Sequence, residues 1–296
     1  MNTFFLFFLP LTLTWALVNE TKSIAPFTVH KTVDIKNYIS GLATNGSSII
    51  ATIPGRNPPF QDILSGAEYN AEKVGFEVSK LLFVSQDKAY TVGPDVYKLV
   101  EYNRQDGLLK PTVINSSHHY TTIALGNDKR VFVGSLVGTP FTAGVKSVIS
   151  TYKDGVFNKL RELDGHLTTF TLSPDNKKIY GIIVFYTGRY TKELIEISLN
   201  DNGTYYKVIA RAYSNAEVRN DVKCDKQGNI YVNWKYKVIE VYNPQGKTYP
   251  ITSDYEIFHI AISNSEPQYL YVGGIDSDSD NDPPAFGRYE LQHLIL

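Results

Sequence analysis

Polar side chains that could bind a ligand or move a proton recur near the starts of several predicted strands. They are His118, His119, Tyr120, Thr121 and Thr122; His166 and Thr168; Arg219, Asn220 and Asp221; and His259. Neutral imidazole binds transition metals and exchanges protons near neutral pH, whereas threonine and asparagine offer uncharged hydrogen-bonding groups. The set therefore fits a neutral polar pocket for an aromatic or polyol ligand, a histidine metal site, or polar residues that merely satisfy one another.

Other chemical motifs are weaker. The run from Asp276 to Asp282 alternates aspartates as a calcium loop does, but it lacks the central glycine and the later glutamate, so an exposed acidic hairpin loop is the simpler interpretation. Cys224 is the single cysteine and lies in a predicted strand, which favours a buried, unreactive thiol. The sequence has no glycine-rich phosphate loop, G-x-S-x-G elbow or H-E-x-x-H pair.

A repeated strand, polar turn and second strand would position these residues. Six such units contain LATNGSSIIAT, LFVSQDKAYTV, IALGNDKRVFVG, FTLSPDNKKIYG, VKCDKQGNIYVN and IAISNSEPQYLYVG. One large residue in the second strand of each unit, which we call its anchor residue, recurs at spacings of 40 to 51 positions: Ile50, Tyr90, Phe132, Tyr180, Tyr231 and Tyr271. Tyrosine, valine and isoleucine favour strands, and this period is typical of propeller blades. The sequence predicts an all-β, six-bladed β-propeller.

The outer strands and the ring closure follow from the same pattern. Alternating apolar segments lead into Asp154-Gly155, Asn202-Gly203 and Gln245-Gly246, dipeptides that favour tight hairpins. We expect the segment from Phe27 to Ile35 to pair with the C-terminal blade, because an unpaired edge would otherwise remain. A two-domain or sandwich arrangement is the alternative, although no linker rich in proline, glycine or serine divides the chain.

The N-terminal segment predicts export. Residues 1–18, MNTFFLFFLPLTLTWALV, form an uncharged apolar run with the length of a signal peptide, with cleavage near Ala16 or Val18. A retained membrane anchor is the alternative. If the signal peptide is cleaved, residues 19–296 form a single propeller domain with no membrane span. Glycosylation triplets at Asn19, Asn45, Asn115 and Asn202 agree with a secreted, extracellular glycoprotein. The formal net charge of −1, with mixed charges, argues against nucleic acid as a partner.

Several segments resemble the gluconolactonase, regucalcin and senescence-marker (SMP-30) family. RNDVKCDKQGNIYVNWKYKVIEVYNPQGKTYPI is similar to that family's D-G-x-x-x-D-x-x-G-x-L-W-V strand pair and following hairpin. HLTTFTLSPDNKKIYG resembles N-G-L-x-x-S-P-D-x-x-x-L-Y, and KRVFVGSL resembles G-R-x-F-x-G-T-M. The likeness covers about two thirds of the chain. IATIPGR, from Ile50, is faintly similar to the major royal jelly and yellow-type propellers, which set a precedent for secreted propellers without a metal triad.

The resemblance implies a calcium or zinc ion at the channel mouth, held by glutamate, asparagine and aspartate. In register with Tyr231, the aspartate position is Asn220, and Asp221, one residue later, points to the other face if the strand alternates regularly. The other family positions correspond to Thr168, to Thr121 with Thr122, and to the neighbourhood of Tyr38 or Ile39. The metal-binding carboxylates of the family are thus missing from the corresponding positions. A bulge that shifts the register by one residue would restore Asp221 as a ligand.

Two function classes follow. The first is a secreted propeller that binds a small molecule or an extracellular protein at its channel mouth, without the metal-dependent lactonase activity of the family. The ligand-binding residues would be His119, Thr121, Thr122, His166, Thr168, Asn220, Asp221 and His259. The second is a divergent lactone or ester hydrolase, or an isomerase, that uses Asp221 or the histidines as acid and base.

Overall fold

The described residues form six four-stranded antiparallel sheets, as the sequence predicts. The computed structural model describes residues 28–29, 39–53, 59–76, 78–93, 98–115, 118–140, 142–186, 189–200, 206–214, 220–275 and 284–291. The fold is all-β, and the sheets are the six blades of a β-propeller.

The strands are named β1 to β24 in chain order. Blade 1 contains β2 (Gly41–Asn45), β3 (Ser48–Thr52), β4 (Phe60–Asp62) and β5 (Glu68–Tyr69). Blade 2 contains β6 (Lys80–Ser85), β7 (Lys88–Val92), β8 (Leu99–Gln105) and β9 (Leu108–Asn115). Blade 3 contains β10 (His119–Leu125), β11 (Val131–Val137), β12 (Lys146–Lys153) and β13 (Val156–Asp164).

Blade 4 contains β14 (His166–Leu172), β15 (Lys178–Tyr186), β16 (Tyr190–Ser198) and β17 (Lys207–Ser214). Blade 5 contains β18 (Asp221–Cys224), β19 (Ile230–Lys235), β20 (Val238–Tyr242) and β21 (Thr248–Thr252). Blade 6 contains β22 (Glu256–Ile262), β23 (Tyr269–Ile275), β24 (Pro284–Glu290) and β1 (Thr28–Val29).

Blade 6 closes the ring. Thr28 and Val29 of β1 pair antiparallel with Arg288 and Gly287 of β24, so the N-terminal strand completes the C-terminal sheet as expected. The innermost strands β2, β6, β10, β14, β18 and β22 contact one another in sequence, and β22 returns to β2. Blades 2 and 5 therefore lie on opposite sides of the central channel.

The core lies between neighbouring blades. Each anchor residue of the repeat lies on the second strand of its blade, and all six are buried. Phe132 of blade 3, for example, packs in one cluster with Phe170 and Ile183 of blade 4, and Val184 of blade 4 packs with Val232 of blade 5. Because both faces of a blade carry apolar residues, no blade buries its own core without its neighbours.

The tight hairpins follow the expected turn chemistry where they are described. Asp154 and Gly155 have φ angles of 49° and 85°, and Asp106 and Gly107 have φ angles of 52° and 79°. Two successive positive φ values give the turn twist that fits antiparallel strands, and aspartate followed by glycine adopts them at low cost. Gly246 also has a positive φ, of 80°.

Some predictions fall outside the described residues. These are the signal peptide at 1–18, the glycosylation triplets at Asn19 and Asn202, the turn at Asn202-Gly203, the channel residue Arg219, and the acidic run at 276–282. Across the part of the chain that the structure describes, we find no helix with the length and apolar character that a membrane crossing requires.

Candidate functional site

Six equivalent positions line one level of the channel. To find this position, we take the residue two places after the anchor residue on the second strand of each blade. The inner-strand residue that pairs with it holds the position. The pairs are Gly41 with Thr52, Lys80 with Val92, Thr122 with Gly134, Thr169 with Ile182, Asp221 with Asn233, and His259 with Gly273. We call Gly41, Lys80, Thr122, Thr169, Asp221 and His259 the inner ring.

Bulges decide which side chains reach this level. The pairing register shifts between Tyr120 and Thr122 in blade 3, and it also shifts in blades 4 and 6, so Thr121, Thr168 and Phe258 are extra residues. A bulge places two residues opposite one and turns the strand locally. Simple alternation along these strands therefore assigns the wrong face at their starts.

Asp221 is the centre of the polar contacts in the inner ring. Its side chain is almost completely buried, and its Oδ1 atom lies 3.2 Å from the ammonium nitrogens of both Lys80 and Lys223. Lys80 belongs to blade 2 and Asp221 to blade 5, so the first of these ion pairs spans the channel. The lysine side chains are 16% and 27% exposed, respectively.

Uncharged donors complete the environment of the Asp221 carboxylate. The hydroxyl of Thr169 donates to Oδ1 at 3.3 Å, and the backbone N–H of Val222 donates to the same atom at 3.0 Å. The backbone N–H of Ile260, in blade 6, donates to Oδ2 at 3.2 Å. The carboxylate therefore connects blades 2, 4, 5 and 6.

The ionisation of Asp221 follows from these neighbours. Burial by itself raises the pKa of a carboxyl group, but the charges of Lys223, Lys80 and His259 and the Ile260 N–H stabilise the anion. Together they hold the pKa of Asp221 well below its usual value of 3.8. Asp221 is an ionised, fully compensated carboxylate at neutral pH.

Of the two registers considered for blade 5, the strand pairing favours the one that brings Asp221 to the inner ring. Strand β18 begins at Asp221, and this residue, not Asn220, holds the position equivalent to Thr122 and Thr169. Lys80 and Thr169 are absent from the sequence-based prediction, because the motifs behind it concern metal ligands and histidines. A signal was present: Lys80 precedes Tyr90 by the same number of residues as Asp221 precedes Tyr231.

The predicted threonines serve as hydrogen-bonding links. Thr121 donates from its hydroxyl to the carbonyl of Leu167 in blade 4 at 2.8 Å, and Thr122 accepts from the N–H of Phe170 at 3.4 Å. Thr168 donates to the carbonyl of Ile182 in its own blade at 3.2 Å. These hydroxyls hold the channel wall together.

His119 and His166 hold equivalent positions in neighbouring blades, opposite Leu136 and Val184. His166 is buried, and burial followed by the charge of His119 lowers its pKa from 6.5 to about 4. Its imidazole is therefore neutral at pH 7. His259 is also buried, and its charge acts on Asp221. The structure thus separates the histidines into a pair between blades 3 and 4 and one residue beside Asp221.

Two asparagine oxygens near Asp221 accept no hydrogen bond from the described residues. Asn233, which pairs with Asp221 across the strands, donates from Nδ2 to the carbonyl of Ile257 at 2.7 Å, and its Oδ1 is buried without a donor there. The Oδ1 atom of Asn220 is likewise buried and accepts no hydrogen bond from the described residues. A buried acceptor favours a donor such as a water molecule or a ligand hydroxyl.

The remaining predicted residues lie away from this site. Asn45 ends β2 at a hairpin, half-buried, with its Nδ2 donating to the Tyr69 hydroxyl at 3.3 Å, and Asn115 ends β9. Burial, with the charges of Asp225 and Asp175, raises the pKa of the Cys224 thiol to about 12. A protonated, largely buried thiol is unreactive, in agreement with its predicted packing role.

Comparison with known proteins gives the fold a context. No protein-family model matches the chain, and no curated protein matches it significantly. Solved structures do match. The calcium-binding protein regucalcin from Agrobacterium tumefaciens is 15% identical, with a TM-score of 0.62, over 88% of this chain and 93% of that one. The fold is that of the regucalcin and gluconolactonase propellers.

Two further structures agree with this assignment. A luciferin-regenerating enzyme is 14% identical, with a TM-score of 0.56, over 86% of this chain and 91% of that one. A gluconolactonase from Xanthomonas campestris is 12% identical, with a TM-score of 0.55, over 86% of this chain and 87% of that one. The likeness in each case is one of architecture, so function must be argued from the site.

The calcium or zinc ion that the regucalcin-like fold implies does not fit these residues. Calcium takes six to eight oxygen ligands, preferably charged ones. Thr121 and Thr168 donate to carbonyls, and Asp221, the carboxylate that the described residues place in the inner ring, already faces two ammonium groups. No group of three histidine, cysteine, aspartate or glutamate side chains suited to a metal occurs within the described ranges.

Proposed function

We propose that the protein is a secreted propeller that binds a small molecule or an extracellular protein at its channel mouth, without metal-dependent lactonase activity. One observation carries this proposal: the buried carboxylate of Asp221 is neutralised by Lys80 and Lys223 of the protein itself. A lactonase of the resembled family needs a metal ion to polarise its substrate or activate water. Here the channel supplies ammonium groups where that chemistry requires metal ligands.

Uncharged polar groups around the inner ring suit a neutral or hydroxyl-bearing ligand. The imidazole of His166 is uncharged, and the side-chain oxygens of Asn220 and Asn233 are acceptors in need of a donor. Such uncharged groups recognise a ligand through complementary hydrogen-bond donors and acceptors. These features support a binding role.

Isothermal titration of the mature protein with CaCl2 and with ZnCl2, beside a gluconolactone-hydrolysis assay with and without EDTA, tests the proposal. We expect no saturable heat for either cation and no turnover above the spontaneous rate. Micromolar cation affinity together with EDTA-sensitive turnover would overturn it.

Export is tested separately by expressing the full chain in a eukaryotic secretory host. We expect the protein in the medium, with a new N-terminus after Ala16 or Val18, and a mass that falls on removal of N-linked glycans. Asn45→Gln and Asn115→Gln would each lower the mass of the secreted protein by that of one N-linked glycan. Protein retained in the membrane fraction with an intact leader would contradict this part of the proposal.

A divergent hydrolase or isomerase is the second candidate, and His166 is the observation that favours it. An imidazole that stays neutral at pH 7 can donate a hydrogen bond to a substrate carbonyl oxygen and polarise it. EDTA-resistant turnover that is lost in His166→Gln and retained in His118→Gln, an exposed neighbour of the pair, would support it. Equal activity of both variants would contradict a role for His166.

A further inference from the structure

Two lysines converge on one carboxylate oxygen inside the channel. Lys80 and Asp221 belong to the inner ring on opposite blades, whereas Lys223 follows Asp221 by two residues on β18. Both ammonium nitrogens lie 3.2 Å from Oδ1 of Asp221. The carboxylate is buried, so the lysines, and not the solvent, provide its counter-charge.

The same oxygen also accepts from the hydroxyl of Thr169 and the N–H of Val222, while Ile260 donates to Oδ2. A calcium ion would need carboxylate lone pairs at about 2.3–2.6 Å, and two adjacent ammonium charges would repel it. Donors therefore occupy the directions from which a metal would approach, and the local charge opposes its entry.

We infer that Lys80 and Lys223 are fixed internal cations that exclude divalent metal ions from Asp221, so that removing both lysines creates a cation-binding site in the channel. The inference deepens the proposed metal-free function and rests on it. The ligands of the new site would be the Asp221 carboxylate, the Thr169 hydroxyl, which already contacts it, and the Oδ1 atom of Asn233, the cross-strand partner of Asp221. One charged ligand makes this a weak site, with a Kd on the order of 10⁻⁴ to 10⁻³ M for calcium.

The double variant Lys80→Met/Lys223→Met tests this inference. Methionine keeps most of the length and the apolar stem of lysine while removing its charge. A matched control exists on the surface, where Lys146 and Lys159 both pair with the exposed carboxylate of Glu162. Lys146→Met/Lys159→Met makes the same change in charge around a carboxylate that water already solvates.

The measurements are isothermal titration with CaCl2 and ZnCl2, and the Tm as a function of cation concentration. We expect saturable binding and a rising Tm for the channel double variant, at least about tenfold stronger than for the wild type or the surface control. Adding Asp221→Asn to the double variant should abolish the binding. A folded double variant without any cation response would overturn the inference and leave the metal-free function of the wild type standing.

The double variant could also fail to fold, because it leaves a buried carboxylate uncompensated. It is then refolded with CaCl2 or ZnCl2 present, and the triple variant with Asp221→Asn is refolded without them. Recovery with cation supports the inference. A triple variant that folds beside a double variant that no cation rescues overturns it. Wild-type protein that binds a cation as tightly as the double variant refutes both the inference and the proposed function.

Discussion

The ammonium group of Lys80 lies 3.2 Å from the Oδ1 atom of Asp221, although the two residues belong to opposite blades of the propeller. The ion pair therefore links two sheets that share no strand pairing. The Asp221 side chain is 3% exposed and that of Lys80 is 16% exposed, so water screens their interaction only weakly. The ion pair should therefore contribute to the stability of the ring of blades.

Replacing Asp221 by asparagine should strongly destabilise the fold. The change leaves Lys80 and Lys223 facing each other without an anion, and breaking a buried ion pair from one side costs about 3–5 kcal/mol. Urea unfolding at pH 7 measures the loss in free energy of unfolding. Asp87→Asn is the control, since Asp87 pairs with Arg104 at 2.8 Å but is 72% exposed. The control should lose less than about 1 kcal/mol, and equal losses in the two variants would argue against the buried network.

The same carboxylate should contribute to acid sensitivity. The pKa of Asp221 is lowered in the folded protein, so the unfolded chain takes up the proton first as the pH falls. Its stabilising effect is complete above the unfolded pKa of about 3.9 and is lost as the pH drops toward the folded value. The difference in unfolding free energy between wild type and Asp221→Asn should be constant from pH 7 to about pH 5 and shrink below about pH 4. A difference that is as large at pH 2.5 as at pH 7 would contradict this assignment.

Burial of His166 should make the stability of the fold depend on pH in a higher range than Asp221 does. Its pKa falls from 6.5 to about 4 on folding, because burial and then the charge of His119 disfavour the imidazolium. Between these values the unfolded chain binds a proton that the folded protein does not, so stability decreases as the pH falls from about 6.5 to 4. His166→Gln should flatten this part of the profile by an amount on the order of 2–3 kcal/mol.

Unfolding free energies measured by urea titration at pH 7, 6, 5 and 4.5 test the histidine effect. His118→Gln is the control, because His118 is exposed and lies one residue before His119. The control should retain the wild-type slope. A wild-type profile that is flat between pH 6.5 and 4.5 would show that His166 titrates in the folded state as freely as in the unfolded chain.

The architecture could be predicted from the sequence, because the repeat is anchored by large residues that every blade must bury. Tyr90, Tyr180 and Tyr231, for instance, occupy equivalent places on the second strands of their blades. The spacing between such residues varies with loop length, but their packing between neighbouring sheets does not. The closing strand was predictable for a related reason, since an open edge strand is unfavourable.

The site could be predicted only in part. The sequence places His259 and Asp221 among the channel residues, but the residue count from Tyr231 assigns the family position to Asn220. Strand β18 pairs without a bulge, so Asp221 holds that position, whereas blades 3 and 4 have an extra residue at Thr121 and Thr168. Lys80 could not be predicted from a motif, because an ion pair across the channel joins distant segments and leaves no local pattern. Aligning all six inner strands to their anchor residues, without regard to residue type, would have found it.

Gly274 should be indispensable to the blade that closes the ring. It lies on β23 opposite Ile257, and a Cβ at this position would lie 1.6 Å from the carbonyl oxygen of Glu256. Gly274→Ala must therefore displace the backbone of β22 beside the register shift that places His259 in the inner ring. We expect a loss of at least about 3 kcal/mol in unfolding free energy, larger than ordinary overpacking, because backbone and not a flexible side chain obstructs the methyl group.

Gly75→Ala is the matched control for this position. Gly75 is exposed, and a Cβ there would meet no atom within 4 Å. Its unfolding free energy should change by no more than about 0.5 kcal/mol. The two variants are compared by urea unfolding and by near-ultraviolet circular dichroism, which reports on the packing of the many tyrosines. If Gly274→Ala unfolds at the same urea concentration as Gly75→Ala, then β22 and β23 pair less closely than described, and the placement of His259 beside Asp221 fails with it.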